Sequence, residues 1–421
     1  MATKLSSSWR RMRLGDLLKQ VNRFEPIEAN REYRLLGVKW YAGGVFERQC
    51  KLGKFIAAKS LNRVEEGDFI YNRLFAWKGS FAVVANGFEG GYVSNEFPIF
   101  RARSDLIIEK FLYIYFSRPQ VWKRIEHQST GTTSISRNRW LEEEFLSWYI
   151  SLPPINEQWS IINTILAIDE AIQSNKDVLD RARNLKKALI HQLLTFGIPG
   201  RHSNFKLSSV GTIPQDWKVQ HLAALATIQT GLAKNKERHL KGSLTVPYLR
   251  VANVQDGYID GEIKRICVTP EDIIRYGLRS GDVLLTEGGD NDKLGRGCVW
   301  DGRVSPCLHQ NHIFAVRCNS NLLSKFLALY TASAQGRRYF LDASKQTTNL
   351  ASINSSQLKA MPIPIPETAE QQRICELVES VEIYLRGALG VLALLSEVKD
   401  RLTSRLFAGQ GSQGETLEIL E

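Results

Sequence analysis

Apolar residues recur at alternating steps of three and four through two long stretches of the chain, and the two stretches match. The first series is Ile161, Ile165, Ile168, Ile172, Asn175, Leu179, Ala182, Lys186, Leu189 and Leu193. Adding 213 to each number gives Ile374, Val378, Val381, Leu385, Ala388, Leu392, Leu395, Lys399, Leu402 and Leu406, so even the cationic position Lys186 recurs as Lys399. This spacing is that of a coiled-coil seam and predicts one helix over residues 157–194 and a second over 370–406. At the rise of an α-helix the first would run for ~57 Å, too long and too amphipathic to stand alone.

Start and stop signals bound both stretches. Leu152-Pro153-Pro154 and the run Pro362-Ile363-Pro364-Ile365-Pro366 forbid helix just upstream. Asn156 is the expected cap of the first helix, and Thr368 with Gln371 the expected capping box of the second. Gly197-Ile198-Pro199-Gly200 and the glycines from Gly409 to Gly414 supply the terminators. The two stripes can bury each other, or each can pair with a second copy of the chain. The first arrangement is favoured because an intramolecular partner is held at high effective concentration. Since the first helix leads into residue 201 onward and the second starts where that segment ends, the pair is expected to be antiparallel. It would act as a stiff ruler between two globular lobes related by an internal pseudo-two-fold axis.

The expected organisation is therefore a first lobe (1–152), a first spacer helix (153–200), a second lobe (201–364), a second spacer helix (365–410) and a flexible C-terminal tail (411–421). Each lobe mixes strands and helices. WRRMRLGDL (9–17) parallels WKVQHLAAL (217–225), GDFIY (67–71) parallels GDVLL (281–285), and GTT (131–133) parallels QTT (346–348). The overall class is α+β: two tandem α/β lobes separated by two long helices packed as an antiparallel coiled coil.

Charge sharpens this picture. Residues 1–152 hold 24 Lys+Arg against 16 Asp+Glu, and residues 200–364 hold 21 against 13, a net +8 in each case. Residues 153–199 are neutral, with 5 of each sign, and residues 365–421 are acidic, with 5 against 10. The positive excess is confined to the lobes in equal shares, which favours two polyanion-binding units. No run of eighteen apolar residues and no secretory signal is present in the sequence, so a cytoplasmic protein is expected. The six cysteines form no Cys-x-x-Cys pair. Cys298, Cys307, His309, His312 and Cys318 fall close together, but they are strung along what reads as two strands, so buried cysteines are expected and no metal.

Between the shared landmarks the lobes diverge, as in NRLFAWKGS (72–80) against TEGGDNDKLGRG (286–297). A common scaffold with different polar loops would read a different ligand on each side. The candidate DNA-contacting residues are Arg73, Lys78, Asn95, Thr132, Thr133 and Arg137 in the first lobe. In the second they are Arg250, Asn253, Asn291, Lys293, Arg296, Gln310, Asn311, Thr347 and Thr348. Arg, Lys, Asn and Gln reach base edges, the Thr pairs suit phosphates, and ordinary polar turns remain a third reading. Catalytic motifs are missing: Leu152-Pro153-Pro154-Ile155 lacks the flanking residues of an amino-methyltransferase loop, Gly53-Lys54-Phe55 is no P-loop, and Glu262-Ile263-Lys264 has no suitably spaced acidic partner. A non-catalytic reader is expected.

The strings GDFIYNRLFAWKGSFAVV (67–84), YVSNEFPIF (92–100), LLTEGGDNDKLGRGCVW (284–300) and HQNHIFAVR (309–317), with LPPINEQ (152–158) and IPETAEQQRI (365–374), resemble the specificity subunits of type I restriction-modification systems. Those proteins alternate two target recognition domains with two long helices. The resemblance implies a double-stranded DNA reader of an asymmetric bipartite sequence, one half per lobe. It also implies recruitment of two methyltransferase subunits, which use S-adenosylmethionine, and of restriction subunits driven by ATP and magnesium, with no cofactor in this chain. Trp159 and Ser160 stand where the second repeat has Gln372 and Arg373, so contacts made there are not expected to be equivalent.

Overall fold

The computed structural model describes residues 9–103, 105–128, 139–233, 243–289, 293–346 and 351–407. The chain divides into two compact units. One comprises residues 1–175 with 391–421, and the other residues 176–390. The long helices Ile155–Phe196 and Thr368–Phe407 each contribute one part to each unit.

Seam residues are buried or half-buried throughout: Ile161, Ile165, Leu179, Leu193, Ile374 and Val378 are buried, and Ile168, Ile172, Leu189, Val381, Leu385, Leu392, Leu395, Leu402 and Leu406 half-buried. In the first unit Ile161 and Ile165 join a core with Phe407, against which Leu402 and Leu406 pack. In the second, Leu193, Ile374 and Val378 share a core that Leu189 borders. Direction follows from two ion pairs. Lys399 Nζ lies 2.6 Å from Asp169 Oδ1 in the first unit, and Lys186 Nζ lies 2.6 Å from Glu382 Oε1 in the second. Each joins an early position of one helix to a late position of the other, so within each unit the helices run antiparallel.

Both helices begin earlier than their seams. Asn156 lies inside the first turn rather than capping it, and Thr368 is itself the first helical residue, so the expected caps do not form. The glutamine expected in a capping box has other work. Gln371 donates to the carbonyls of Asn321 (2.9 Å) and Pro366 (3.0 Å) and accepts the Leu323 N–H (2.9 Å). Gln158 does the same with Leu106 (2.7 Å), Pro153 (2.9 Å) and Ile108 (3.0 Å). Beside each glutamine a glutamate accepts an indole N–H, Glu157 from Trp9 (2.9 Å) and Glu370 from Trp217 (3.2 Å). A fully buried amide is stable only with its donors and acceptors met. These paired locks thus tie each helix start to its own lobe.

Each lobe has its own copy of one sheet topology. In the first unit a four-stranded antiparallel sheet runs in the order Leu18–Val21, Ile99–Ala102, Phe69–Tyr71, Phe81–Val83. In the second unit Ala226–Thr230, Ile313–Cys318, Val283–Thr286 and Gly297–Val299 repeat that order. The Gly-Asp turn before the third strand places a buried carboxylate in each. Asp68, with no exposed surface, binds Arg23 (2.8 Å), Arg101 (2.6 Å) and the Glu65 N–H (2.8 Å). Asp282, 1% exposed, binds Arg317 (2.7 Å) and the Arg279 N–H (2.8 Å). A second sheet extends each lobe: five strands in the first, and in the second three, where Leu244–Leu249 pairs in parallel with Leu308–His309.

Candidate nucleic-acid interface

The loops that diverge in sequence sit at matching places on the shared scaffold. In the first lobe the Arg73 N–H donates to the Glu96 carbonyl (3.0 Å), and in the second the Glu287 N–H donates to the His312 carbonyl (2.9 Å). These are the same backbone bond with opposite side chains. Arg73 forks onto Glu142, with Nε 2.9 Å from Oε2, and Glu96 pairs with Arg139 at 2.7 Å. Glu287 Oε2 instead meets His312 Nδ1 at 2.5 Å. Acidic and basic residue types are thus exchanged between two positions that the backbone makes equivalent.

In the first lobe, the Lys78 ammonium stands 4.0 Å from the Trp40 ring and 4.8 Å from the Trp77 ring. Asn95 is exposed one residue before Glu96, so the Arg73 backbone bond brings Arg73 and Asn95 to one edge. Thr132, Thr133 and Arg137 lie outside the described residues. The aromatic tip formed by Trp40 and Tyr41 carries no charge or motif and was not among the expected contacts. Its signal in the sequence, adjacent rings before Ala42-Gly43-Gly44, reads equally well as a hairpin.

In the second lobe the parallel pairing gathers Arg250, Gln310 and Asn311. Gln310 donates its N–H to the Leu249 carbonyl (2.9 Å), its side-chain oxygen accepts from the Val251 N–H (3.3 Å), and Asn311 Nδ2 lies 3.3 Å from His312 Nε2. Arg250 and Arg296 are half-buried, and the Nε of each is enclosed without a hydrogen-bond partner among the described residues. Such a donor can be met by an incoming acceptor. Lys293 is exposed. Asn253 departs from expectation. It is 2% exposed, its oxygen accepts the Arg250 N–H (2.9 Å) and its amide donates to the Asp260 (2.8 Å) and Glu262 (3.1 Å) carbonyls. Its polar atoms are engaged within the 250–262 loop. Asn291, Thr347 and Thr348 lie outside the described residues.

The cysteine and histidine cluster does not assemble. Among the described residues no group of three or more His, Cys, Asp or Glu is placed to hold a metal. Burial pushes the Cys298 and Cys307 thiols up to about 12 and the Cys318 thiol to about 11, so none is a thiolate at neutral pH. His309 has no exposed surface, its Nδ1 is 3.0 Å from the Ile313 carbonyl, and burial lowers its pKa to about 4. The unfolded imidazole takes its proton near 6.5, so between pH 6.5 and 4 the unfolded chain binds more protons and the folded state is destabilised as pH falls. We expect about 3 kcal/mol of stability to be lost over that window through this residue. Denaturant titrations at pH 7 and 4.5 check it: the stability gap between the wild type and His309→Gln should narrow in acid.

The first unit also holds a cleft of about 740 Å³, lined by Tyr41, Tyr113, Arg118, Trp122, Asp169 and Lys399 among others. Arg118 lies over the Tyr115 (4.3 Å) and Phe407 (4.1 Å) rings, and burial lowers its pKa to about 10. Among the described residues no helix is long and apolar enough to cross a membrane.

Comparison with known proteins fits this architecture. Residues 214–385 match the family described as the type I restriction modification DNA specificity domain. The type I restriction enzyme MjaVIII specificity subunit of Methanocaldococcus jannaschii is 22% identical over 97% of this chain and 94% of its own length. The putative MjaX specificity subunit of the same organism is 27% identical over 49% of each chain, so the match spans about half of that relative. Among solved structures, one described as the structural basis of complex assembly and conformational transition of the type I R-M system has a TM-score of 0.64. It is 17% identical, over 96% of this chain and 99% of that one. The HsdS subunit from Thermoanaerobacter tengcongensis has a TM-score of 0.54 at 17% identity, over 97% and 98%.

Proposed function

Because this chain belongs with the specificity subunits of type I restriction-modification systems, we propose that it reads an asymmetric bipartite DNA sequence, one half-site per lobe. The first lobe's readers would be Arg73, Lys78, Asn95, Thr132, Thr133 and Arg137. The second lobe's would be Arg250, Asn291, Lys293, Arg296, Gln310, Asn311, Thr347 and Thr348. The observation that carries this reading is the exchange of acidic and basic residue types on a common scaffold, Arg73 and Glu96 in one lobe against Glu287 and His312 in the other. Two lobes of one fold with unlike polar edges present unlike donor and acceptor patterns, and the major groove distinguishes such patterns base by base. The net +8 on each lobe supports phosphate contact on both.

In this reading the chain performs no chemistry. It brings two methyltransferase subunits and the restriction subunits to the site, and S-adenosylmethionine and ATP with magnesium enter with those partners. The test is genomic methylation profiling of a host expressing the chain with its methyltransferase subunit. A motif of two short specified halves around an unspecified spacer is expected. Methylation with no such motif, or with a single continuous one, would overturn the reading.

A further inference from the structure

The turn between strands Glu32–Val38 and Val45–Leu52 holds two consecutive non-glycine residues at positive φ, Tyr41 at 57° and Ala42 at 53°. The Gly43 N–H donates to the Trp40 carbonyl (3.2 Å) and the Lys39 N–H to the Gly44 carbonyl (2.9 Å), closing a tight hairpin whose central pair ordinarily favours Asn and Gly. A Cβ in this region crowds its own carbonyl, so a tyrosine here is unfavourable unless the surroundings enforce it. They do. The Tyr41 and Ala42 N–H groups donate to the Lys78 and Gly79 carbonyls, both at 2.8 Å, and the Tyr113 hydroxyl donates to the Ala42 carbonyl at 2.6 Å.

What this held turn presents is two large rings left partly in solvent, Trp40 beside the Phe75 ring (5.1 Å) and Tyr41 beside the Trp122 ring (5.9 Å). Trp40 is 42% exposed and Tyr41 is 67% exposed, and neither is needed to fill the core. Lys78 stands over Trp40, while the turn and the facing loop, residues 39–44 and 72–80, carry Lys39, Arg73 and Lys78 and no acidic residue. Arg73 is already paired with Glu142, which leaves Lys39 and Lys78 beside the rings, and aromatic rings flanked by lysines suit a ligand with apolar faces and anionic edges, which describes bases on a phosphate backbone.

We propose that the Trp40-Tyr41 turn is a DNA-contacting wedge of the first lobe. The exposed rings pack against base faces at one step of the first half-site while Lys78 meets the adjoining phosphate. This rests on the DNA reading above and adds recognition by stacking to recognition by base edges. A prebuilt turn loses little freedom on binding, which is what the enforced backbone supplies.

The discriminating substitution is Tyr41→Gly, which relieves the left-handed strain and removes the ring. Tyr41→Phe keeps the ring. Both are assembled with the methyltransferase subunits and compared with wild type by thermal midpoint, by complex size, by affinity for a duplex bearing the profiled motif, and by methylation profiling. For Tyr41→Gly the midpoint should hold or rise and the complex should form. Affinity should fall roughly five- to hundred-fold, and the residual methylated sites should show a relaxed first half with the second intact. Tyr41→Phe should match wild type. An unchanged motif and affinity, a midpoint lowered by several degrees, or loss of assembly would each overturn the wedge, the last assigning the turn to a protein partner. Failure of the DNA reading itself is seen separately, as a wild-type chain that yields no bipartite motif.

Discussion

Alanine at Asp68 is expected to destabilise the first unit by about 3 kcal/mol, and alanine at Asp282 to do the same to the second. Both carboxylates are enclosed, and both hold an arginine and a backbone N–H across the Gly-Asp turn. Removing the acid leaves that cation partly buried without its main partner, which is far more damaging than losing a surface ion pair. Glu65, 3.0 Å from Arg23 and 3.6 Å from Arg101, partly compensates in the first unit. Among the described residues Arg317 shows no second acidic partner, and it depends on its one-third exposure to water. In a unit of this size the loss corresponds to a fall of roughly 6–12 °C in the midpoint. Hydrogen exchange resolves where it occurs: Asp68→Ala should lose protection across Phe69–Tyr71 and Ile99–Ala102 and leave Val283–Thr286 and Ile313–Cys318 protected. Protection lost in both units at once would mean that they unfold as one body and that the carboxylates do not act locally.

The largest functional effect is expected from exchanging residues 201–361 for the corresponding lobe of a related specificity subunit. The bound motif should change completely in one half and stay the same in the other. Leu193 and Ile374 lie in one core with Trp217 and Leu222, so the incoming lobe must supply equivalents of Trp217 and Leu222 to the helix segments that receive it. The Glu370 contact to the Trp217 indole and the Gln371 contacts to residues 321 and 323 define the minimum that the incoming lobe must reproduce. Methylation profiling of the exchanged chain reads the result directly. A motif altered in both halves, from a chain that folds and assembles, would refute one lobe for one half-site.

The seam was legible along the chain because coiled-coil burial is periodic: the spacing of Ile161, Ile165 and Ile168 already says which side faces a partner. The repeat was legible for the same reason, since Lys186 and Lys399 occupy matching seam positions and find matching acids, Glu382 and Asp169. Gln158 and Gln371 were not legible as locks. A glutamine three residues into a helix looks like a local cap, and only the fold brings Ile108 and Leu323 within reach. Asn253 shows the converse, a residue type suited to base edges that the 250–262 loop uses up internally.

For the candidate interface, type and charge were legible and direction was not. Arg73, Lys78, Gln310 and Asn311 could be picked out as groups that bind DNA, but the pairing of Arg73 with Glu142, of Lys78 with Trp40 and of Gln310 with the Val251 N–H depends on groups far away in sequence. The amino-acid sequence by itself determined the duplication, the two long helices, their antiparallel sense and the confinement of positive charge to the lobes, because each follows from periodicity, chain connectivity or a count of charges. Only the tertiary structure decided which polar side chains are held internally and which turn, Trp40-Tyr41, is kept in an unfavourable backbone conformation with its rings exposed. Hydrogen-bond satisfaction and enforced strain are settled by neighbours that the chain brings together only when it folds.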